Sequence, residues 1–225
     1  YRAWSRFNPL VLIRNEEFKT YLTIVIILSI MLGLSLFANS NYTFIQSFTH
    51  SFFQIASTIS SSGFCSVDFA NWDYTSKGIL LISMLAGGCA SSAGGGIKIM
   101  RWLLILKIMK TELAKVLHPK AVFNIKIGKY SVPKDVLYQT LMFVSFYLAI
   151  LATSAFLVAI REENTIVGIF GAISAVGNIG LGLDSNYDNL HCFSKIILIL
   201  DMYIGRLELI PFLVLFQKDL WSFNG

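Results

Sequence analysis

Long apolar stretches alternate with charged segments along the chain. Three stretches contain no charged side chain, namely residues 20–38, 78–97 and 136–160. An α-helix needs about 20 such residues to cross the hydrocarbon core of a bilayer. A fourth stretch, residues 196–216, is apolar apart from three charged residues, which are Asp201, Arg206 and Glu208. The pattern predicts an all-α integral membrane protein that crosses the bilayer several times.

The order of these features repeats after 117 residues. This offset places Tyr21 on Tyr138, Ser57 on Ser174, Gly63 on Gly180 and Gly88 on Gly205. Each unit contains a long apolar span, a shorter and less apolar segment, and a second long span. Such internal symmetry indicates two copies of one structural unit. We predict that each unit consists of an outer helix, a re-entrant pore helix and an inner helix.

The repeat divides the chain into four parts. A segment at 1–19 precedes the first pore repeat at 20–117, and a linker at 118–134 precedes the second repeat at 135–225. In the first repeat we predict an outer helix at 20–38, a pore helix at 42–57, a filter at 58–64 and a broken inner helix at 78–115. In the second we predict an outer helix at 135–160, a pore helix at 164–176, a filter at 177–182 and an inner helix at 193–217.

The two predicted pore helices are too short to span a bilayer comfortably. They have about 13 to 16 residues, which corresponds to about 20 to 24 Å of helix. A re-entrant half-helix fits this length, and an amphipathic helix lying on the membrane surface is the alternative. The segment at 164–176 has no charged face, which disfavours that alternative.

Composition and charge agree with a membrane protein and indicate its orientation. Only 14% of the residues are charged, whereas soluble domains carry about 25%. Basic residues concentrate at 1–19 and 98–135, and short loops rich in lysine and arginine remain cytoplasmic. The segments at 39–77 and 161–195 are mildly acidic and are expected to face outward. Because the basic runs adjoin apolar spans, we expect them to contact lipid or protein and not nucleic acid.

A small, polar, glycine-containing stretch follows each predicted pore helix. Irregular backbone at membrane depth is tolerated only where it is buried in protein or lines a watery cavity. Main-chain carbonyls in such a loop can replace the hydration shell of a monovalent cation. Neither stretch contains a carboxylate, which disfavours a site for divalent cations. The predicted cation-binding residues are Ser60, Ser61, Ser62 and Gly63 in the first stretch and Gly177, Asn178, Ile179 and Gly180 in the second.

Five sequence motifs resemble the third and fourth pore repeats of the TrkH/KtrB (Trk/Ktr/HKT) superfamily of potassium transporters. They are STISSSGF at 57–64, GGCASSAGGGIK at 87–98, HPKAV at 118–122, GNIG at 177–180 and GRLE at 205–208. The resemblance implies four such units around one pore, so the first two repeats would lie N-terminal to this sequence. It also implies potassium-binding carbonyls in the two filters and a cytoplasmic nucleotide-binding regulatory subunit. We further expect a homodimer.

Glycine dominates the middle of the first inner span. Five of the ten residues at 87–96 are glycine, namely Gly87, Gly88, Gly94, Gly95 and Gly96. Each glycine destabilises a helix interior by about 1 kcal/mol relative to alanine, so we predict a break in the helix. A close helix–helix contact through small residues is the alternative. The family resemblance implies that this loop acts as a gate.

Arg206 aligns with Cys89 by the repeat offset and is therefore expected at the depth of the glycine-rich loop. An arginine inside a membrane must face protein or water. We predict that it hydrogen-bonds the loop and repels cations in the closed pore. A purely structural ion pair with Asp201 or Glu208 is the alternative. Lys98 follows the loop and is a further gate candidate, and we expect Lys98 and Arg101 to reach the inner membrane surface.

These observations together predict potassium uptake across the bacterial inner membrane, with the passage of sodium left open. The alternative is a non-conducting membrane scaffold, or a half-protein that is inert without its N-terminal half. No catalytic arrangement or cofactor site is legible in the sequence, and potassium is expected as the substrate. The basic stretch at 107–134 is expected to contact either the regulatory subunit or anionic lipid.

Overall fold

A computed structural model describes residues 15–92, 94–118, 124–128, 130–182, 187 and 190–207. The elements in chain order are α1 (Glu16–Asn39), α2 (Phe44–Ile59), α3 (Tyr74–Ala86), α4 (Ile99–Leu117), β1 (Lys126–Ile127), β2 (Tyr130–Ser131), α5 (Lys134–Glu162), α6 (Thr165–Val176) and α7 (Cys192–Leu207). The predicted segment at 1–19 and linker at 118–134 lie partly outside these residues, as does the predicted inner helix beyond residue 207.

In the part of the chain that the structure describes, two helices are long and apolar enough to cross a membrane, by length and composition. They are α1, with 24 residues and a mean hydropathy of 2.4, and α5, with 29 residues and a mean hydropathy of 2.3. The Asn15 side chain caps α1 by accepting from the Glu17 backbone N–H at 2.9 Å. At the end of α5, Glu163 adopts a left-handed φ of 54°, and Asn164 then caps α6. A sharp turn thus joins α5 to α6, whereas extended residues at Ser40 and Thr43 join α1 to α2.

Each long helix packs along the short helix that follows it in the chain, α1 against α2 and α5 against α6. Small residues make these contacts close. A Cβ added at Gly168 of α6 would lie 2.8 Å from the Ala155 carbonyl oxygen of α5. Between the two repeats, the rings of Phe69 and Phe170 stack with their centroids 6.0 Å apart. The chain therefore folds as two helical units that share a buried core.

The inner element differs between the two repeats. In the first, α3 ends at Ala86 and α4 begins at Ile99, so the predicted inner helix at 78–115 is two helices joined by a loop. In the second, α7 runs without interruption from Cys192 to Leu207 and so continues past Tyr203, which matches Ala86. The glycines at 87 and 88 account for this difference, because the second repeat has only Gly205 at the two matching positions.

A two-stranded antiparallel hairpin lies in the linker between the repeats, where no strand was predicted. It is a small departure from an all-α fold. Gly128 provides the left-handed φ of 58° that the turn requires. The Lys107 ammonium of α4 bonds both the Lys126 carbonyl, at 2.6 Å, and the Glu16 carboxylate. The hairpin is thereby attached to α4 and to the start of α1.

Asp73 sets the start of α3 at Tyr74, earlier than the predicted residue 78. Its carboxylate accepts from the backbone N–H groups of Thr75 and Ser76, at 3.1 and 3.2 Å. Partial burial raises the pKa of Asp73, but the hydrogen bonds from Ser76 and Thr75 outweigh it and hold that pKa below its ordinary value.

Asp73→Ala is expected to destabilise the protein by about 1 kcal/mol, because it removes the cap of α3. Since the folded-state pKa is the lower one, the ionised cap contributes its full stability above the unfolded pKa of about 3.9. That contribution disappears as the pH falls through the folded pKa. Thermal unfolding at pH 7 and below pH 4 measures this loss of stability. Asp73→Asn is the control that retains a capping side chain. Equal stability of Asp73→Ala and wild type at pH 7 would contradict the assignment.

Candidate ion pathway

The two short helices end in the same backbone conformation, at positions 117 residues apart. Ser60 and Gly177 close the helices in the right-handed helical region, and the next residues, Ser61 and Asn178, have left-handed φ values of 56° and 52°. Backbone hydrogen bonds match as well. They run from Ser62 N to Ser57 O at 3.0 Å and from Ile179 N to Ser174 O at 2.9 Å. This is the Schellman arrangement, which ends a helix and turns the chain away from its axis.

Glycine follows two residues later in both repeats, again in a conformation that other residues rarely adopt. Gly63 has a φ of 72° and Gly180 a φ of 84°. The left-handed region is open to glycine without steric penalty. The residues predicted to form the two filters thus have equivalent backbone paths, which the repeat in the sequence had led us to expect.

The two predicted filters, residues 58–64 and 177–182, lie side by side, and the segments that follow α2 and α6 within them are called the first and second strand below, although they are not β-strands. A Cβ added at Gly63 would sit 2.1 Å from the Ile179 carbonyl oxygen and 4.0 Å from the Gly180 Cα. The first strand therefore passes directly against the backbone of the second. Residues more than a hundred positions apart in the sequence are therefore adjacent in the fold. The carboxyl ends of α2 and α6 directly precede the two strands.

Side-chain hydroxyl groups donate hydrogen bonds to main-chain carbonyls of both strands. Ser57 Oγ donates to the Phe64 carbonyl at 2.7 Å and lies 3.2 Å from Ser62 Oγ. Beside the second strand, the Tyr187 hydroxyl donates to the Leu181 carbonyl at 3.0 Å. These bonds fix strand carbonyls that no sheet or helix would otherwise hold.

Cavities lie on either side of the paired strands. The outer cavity has a volume of about 590 Å³, and Gly63, Gly180, Asp68 and Tyr187 are among its lining residues. The inner cavity has a volume of about 280 Å³. It is lined by Ser92, Gly94, Gly95, Gly96, Lys98, Arg101, Phe143, Tyr147, Ile204, Gly205 and Arg206. Among the described residues, the lining of the inner cavity thus contains three basic residues and no acidic one.

The glycine-rich loop passes directly beneath the strands. A Cβ at Gly94 would lie 2.9 Å from Ser61 Oγ, and one at Gly95 would lie 2.4 Å from the Gly177 carbonyl oxygen. Side chains larger than hydrogen would therefore push the loop away from both pore-helix ends. Gly87 and Gly96, with φ values of 67° and 85°, form its two ends.

Charged groups attach the loop to its surroundings. Glu17 of α1 accepts from the Ala90 backbone N–H at 2.6 Å, and the Lys98 ammonium donates to the Ala90 carbonyl at 3.4 Å. Gly88, at the start of the loop, accepts from the Ile99 N–H at 3.0 Å. Of the predicted gate residues, Gly88 and Lys98 thus hold the two ends of the loop by hydrogen bonds.

Arg206 lines the inner cavity together with the loop glycines. No ion pair with Asp201 is present among the described residues, and Glu208 lies outside them. The Arg101 guanidinium lies 3.7 Å from the centre of the Phe143 ring. The Lys98 ammonium contacts the glycine-rich loop at the Ala90 carbonyl.

Comparison with known proteins agrees with this architecture. A family model, TrkH, described as a cation transport protein, matches residues 18–223. The chain belongs to the TrkH family. Relatives include the Trk system potassium uptake protein TrkH of Escherichia coli, 31% identical over 212 residues, which cover 92% of this chain and 44% of the relative. The TrkH protein of Halomonas elongata is 32% identical over 226 residues, covering 97% of this chain and 46% of the relative.

A solved structure gives the same result for the fold. The potassium transporter TrkH of Vibrio parahaemolyticus matches with a TM-score of 0.87 and 28% identity, over 98% of this chain and 48% of that one. The chain thus spans about half the length of its TrkH relatives. Its fold is that of the corresponding half of a TrkH transporter, an all-α integral membrane protein.

One contact of this TrkH chain was not predicted from the sequence. The Asn178 side-chain amide bridges two backbone groups of α7 when it is assigned the orientation that satisfies both its atoms. In that orientation it donates to the Met202 carbonyl at 3.3 Å and accepts from the Arg206 N–H at 3.1 Å. Gly205 permits the approach, because a Cβ there would lie 2.0 Å from the Val176 carbonyl oxygen. The second strand is therefore attached to the helical turn that carries Arg206. The repeat places Gly205 opposite Gly88 but gives no sign of this contact.

Proposed function

We propose that this chain forms half of a potassium-conducting pore, in which main-chain carbonyls of the two paired strands bind the dehydrated ion. One observation carries the proposal. Two strands of equivalent backbone conformation lie in contact, at Gly63 and Ile179, between an outer and an inner cavity. The potassium-binding residues are Ser60 to Gly63 and Gly177 to Gly180.

Electrostatics favours a monovalent cation at this position. The carboxyl ends of α2 and α6 adjoin the strands, and a helix carries about half a negative charge at that end. Carbonyl oxygens add partial negative charge without the full charges that a divalent ion would favour. Potassium as the substrate also accords with the names of the Trk relatives.

The glycine-rich loop and Arg206 form the proposed gate below the filter. Gly94 and Gly95 press against the ends of the two strands, where the loop occupies the path of a leaving ion. Arg206 adds a positive charge to the same cavity. Lys98 holds the loop through the Ala90 carbonyl, so displacement of the loop requires this bond to break.

The complete protein is proposed to act in the bacterial inner membrane, in contact with lipid. Two further pore repeats N-terminal to this chain would complete the ring of four filter strands. A second copy and a cytoplasmic nucleotide-binding regulatory subunit are the proposed protein partners, and the basic α4 is the surface proposed for the subunit.

Potassium-dependent growth tests this function against the scaffold alternative. The full gene, expressed in a bacterium that lacks its own potassium uptake, is expected to restore growth at low potassium, and this half alone is not. Uptake of rubidium by liposomes containing the purified full-length protein provides the direct measurement, with sodium in its place as the selectivity control. No flux above that of empty liposomes would support the scaffold.

Asn178→Gly is expected to loosen the α7 turn that carries Arg206. Glycine keeps the left-handed backbone but removes two hydrogen bonds, each of which contributes about 1 kcal/mol. Hydrogen–deuterium exchange at the Arg206 amide should accelerate about tenfold or more. Ser61→Gly, at the equivalent position of the first repeat, is the matched control and should leave exchange in α7 unchanged. Unchanged exchange in Asn178→Gly would show that the amide does not hold the helix.

A further inference from the structure

A carboxyl group is buried deep in the second repeat, away from the pore strands. Asp201 lies in the middle of α7, about 14 Å along the helix from its first residue. Its side chain is 3% exposed, and one carboxyl oxygen, Oδ2, has no hydrogen-bond partner among the described residues. The helices of this chain themselves enclose it, so a further pore repeat packing against the outside of this half would not reach it.

The groups around Asp201 supply no counter-charge. Tyr147 and Ser154 of α5 are its polar neighbours, and α6 contributes no titratable side chain at all. The other titratable residues of α7 are Cys192, Lys195, Tyr203 and Arg206. Among the described residues, none of the basic side chains forms an ion pair with Asp201, including Lys98 and Arg101 of the inner cavity.

Tyr147 completes the arrangement. Its ring is 2% exposed, and its hydroxyl also has no hydrogen-bond partner within the part of the chain that the structure describes. The same residue lines the inner cavity and interacts electrostatically with Asp201. A buried residue whose hydroxyl can both donate and accept therefore neighbours the carboxyl group and also lines a cavity large enough to hold water.

We propose that Asp201 is a proton-binding site inside the membrane, connected to the inner cavity through Tyr147. An isolated carboxylate is unfavourable in a medium of low dielectric constant, and such a group instead remains neutral. The carboxylate takes up one proton from a hydronium ion in the inner cavity and becomes a carboxylic acid, and a neutral water molecule remains. The ligand is thus a proton, and the site is separate from the potassium-binding strands.

The position of the site links it to the pore. Asp201 immediately precedes Met202, whose carbonyl accepts from the Asn178 amide. A change in charge at residue 201 therefore occurs beside the contact that joins α7 to the second strand. Proton binding itself does not depend on the proposed potassium transport, and it can be tested separately.

Infrared spectroscopy of the full-length protein in lipid tests the proposal at neutral pH, where solvent-exposed carboxyl groups are ionised. The wild type is expected to show the carbonyl stretching band of a protonated carboxyl group, and Asp201→Asn to lose it. Asp73→Asn, which changes a capping carboxylate, is the control and should retain the band. Tyr147→Phe should slow the shift of this band in D₂O, because it removes the hydroxyl group through which the acid proton exchanges with the inner cavity.

Two results would overturn the proposal. One is a wild-type spectrum without any protonated carboxyl band at neutral pH, which needs no variant to fold. The other is an Asp201→Asn difference spectrum that loses carboxylate bands and keeps the acid band, since Asp201 would then be ionised and paired. Neither result depends on whether potassium crosses the membrane.

Discussion

Replacing Gly63 with alanine is expected to abolish potassium transport by the full-length protein. The added methyl carbon would lie 2.1 Å from the Ile179 carbonyl oxygen, a backbone atom of the neighbouring strand. A left-handed backbone disfavours alanine by a further 1 to 2 kcal/mol, approximately. The two strands must therefore separate, and the carbonyls can no longer surround one ion. Rubidium uptake by liposomes should fall at least a hundredfold.

Gly78→Ala provides the matched control for this substitution. Gly78 lies within α3 of the same repeat, and an added Cβ there meets nothing within 4 Å. Alanine in a helix interior is more favourable than glycine by about 1 kcal/mol, so this variant should transport normally and be slightly more stable. Normal rubidium uptake by Gly63→Ala, in protein that elutes as wild type from gel filtration, would show that the strands need no close contact.

Arg206→Ala is expected to increase the flux through the closed pore about thirtyfold. A unit charge at about 8 Å from a passing cation, at an effective dielectric constant of about 20, raises its energy by about 2 kcal/mol. Removing the guanidinium lowers this barrier and also frees space beside the glycine-rich loop. Rubidium efflux from liposomes, measured without any regulatory subunit, gives the closed-state rate.

Two further variants separate charge from shape at this position. Arg206→Lys keeps the positive charge and should retain most of the barrier. Lys115→Ala removes an exposed cation of α4 that pairs with Glu112 and should leave the flux unchanged. If Arg206→Ala conducts as slowly as wild type, Arg206 has no part in the gate.

Local features of the chain predicted much of this fold. The internal repeat predicts the positions of the two short helices and of the strands after them. Both features depend on residues that are close together in the sequence. The break at 87–96 was predicted because five glycines cannot sustain a helix. The predicted start of α3 at 78 is too late, because the stretch without charge begins at Gly78 whereas the helix begins after its cap, Asp73.

Contacts between distant residues could not be predicted in the same way. Nothing in the sequence shows that Glu17 bonds the Ala90 amide, or that Asn178 bridges two backbone groups of α7. Asp201 was considered as a partner of Arg206. Five residues along a helix correspond to one full turn and about 140° more, so the two side chains point in different directions. Asp201 instead turns toward α5, as only the packing of α7 reveals.

The most direct test of the account locates the ion itself. The full-length protein can be crystallised with thallium or rubidium in place of potassium, and anomalous diffraction then shows where the heavy cation binds. We predict a peak beside the main-chain carbonyls of Ser60 to Gly63 and Gly177 to Gly180, on the axis between the outer and inner cavities. Strong peaks at carboxylates elsewhere, with none beside these strands, would contradict carbonyl coordination as the basis of transport.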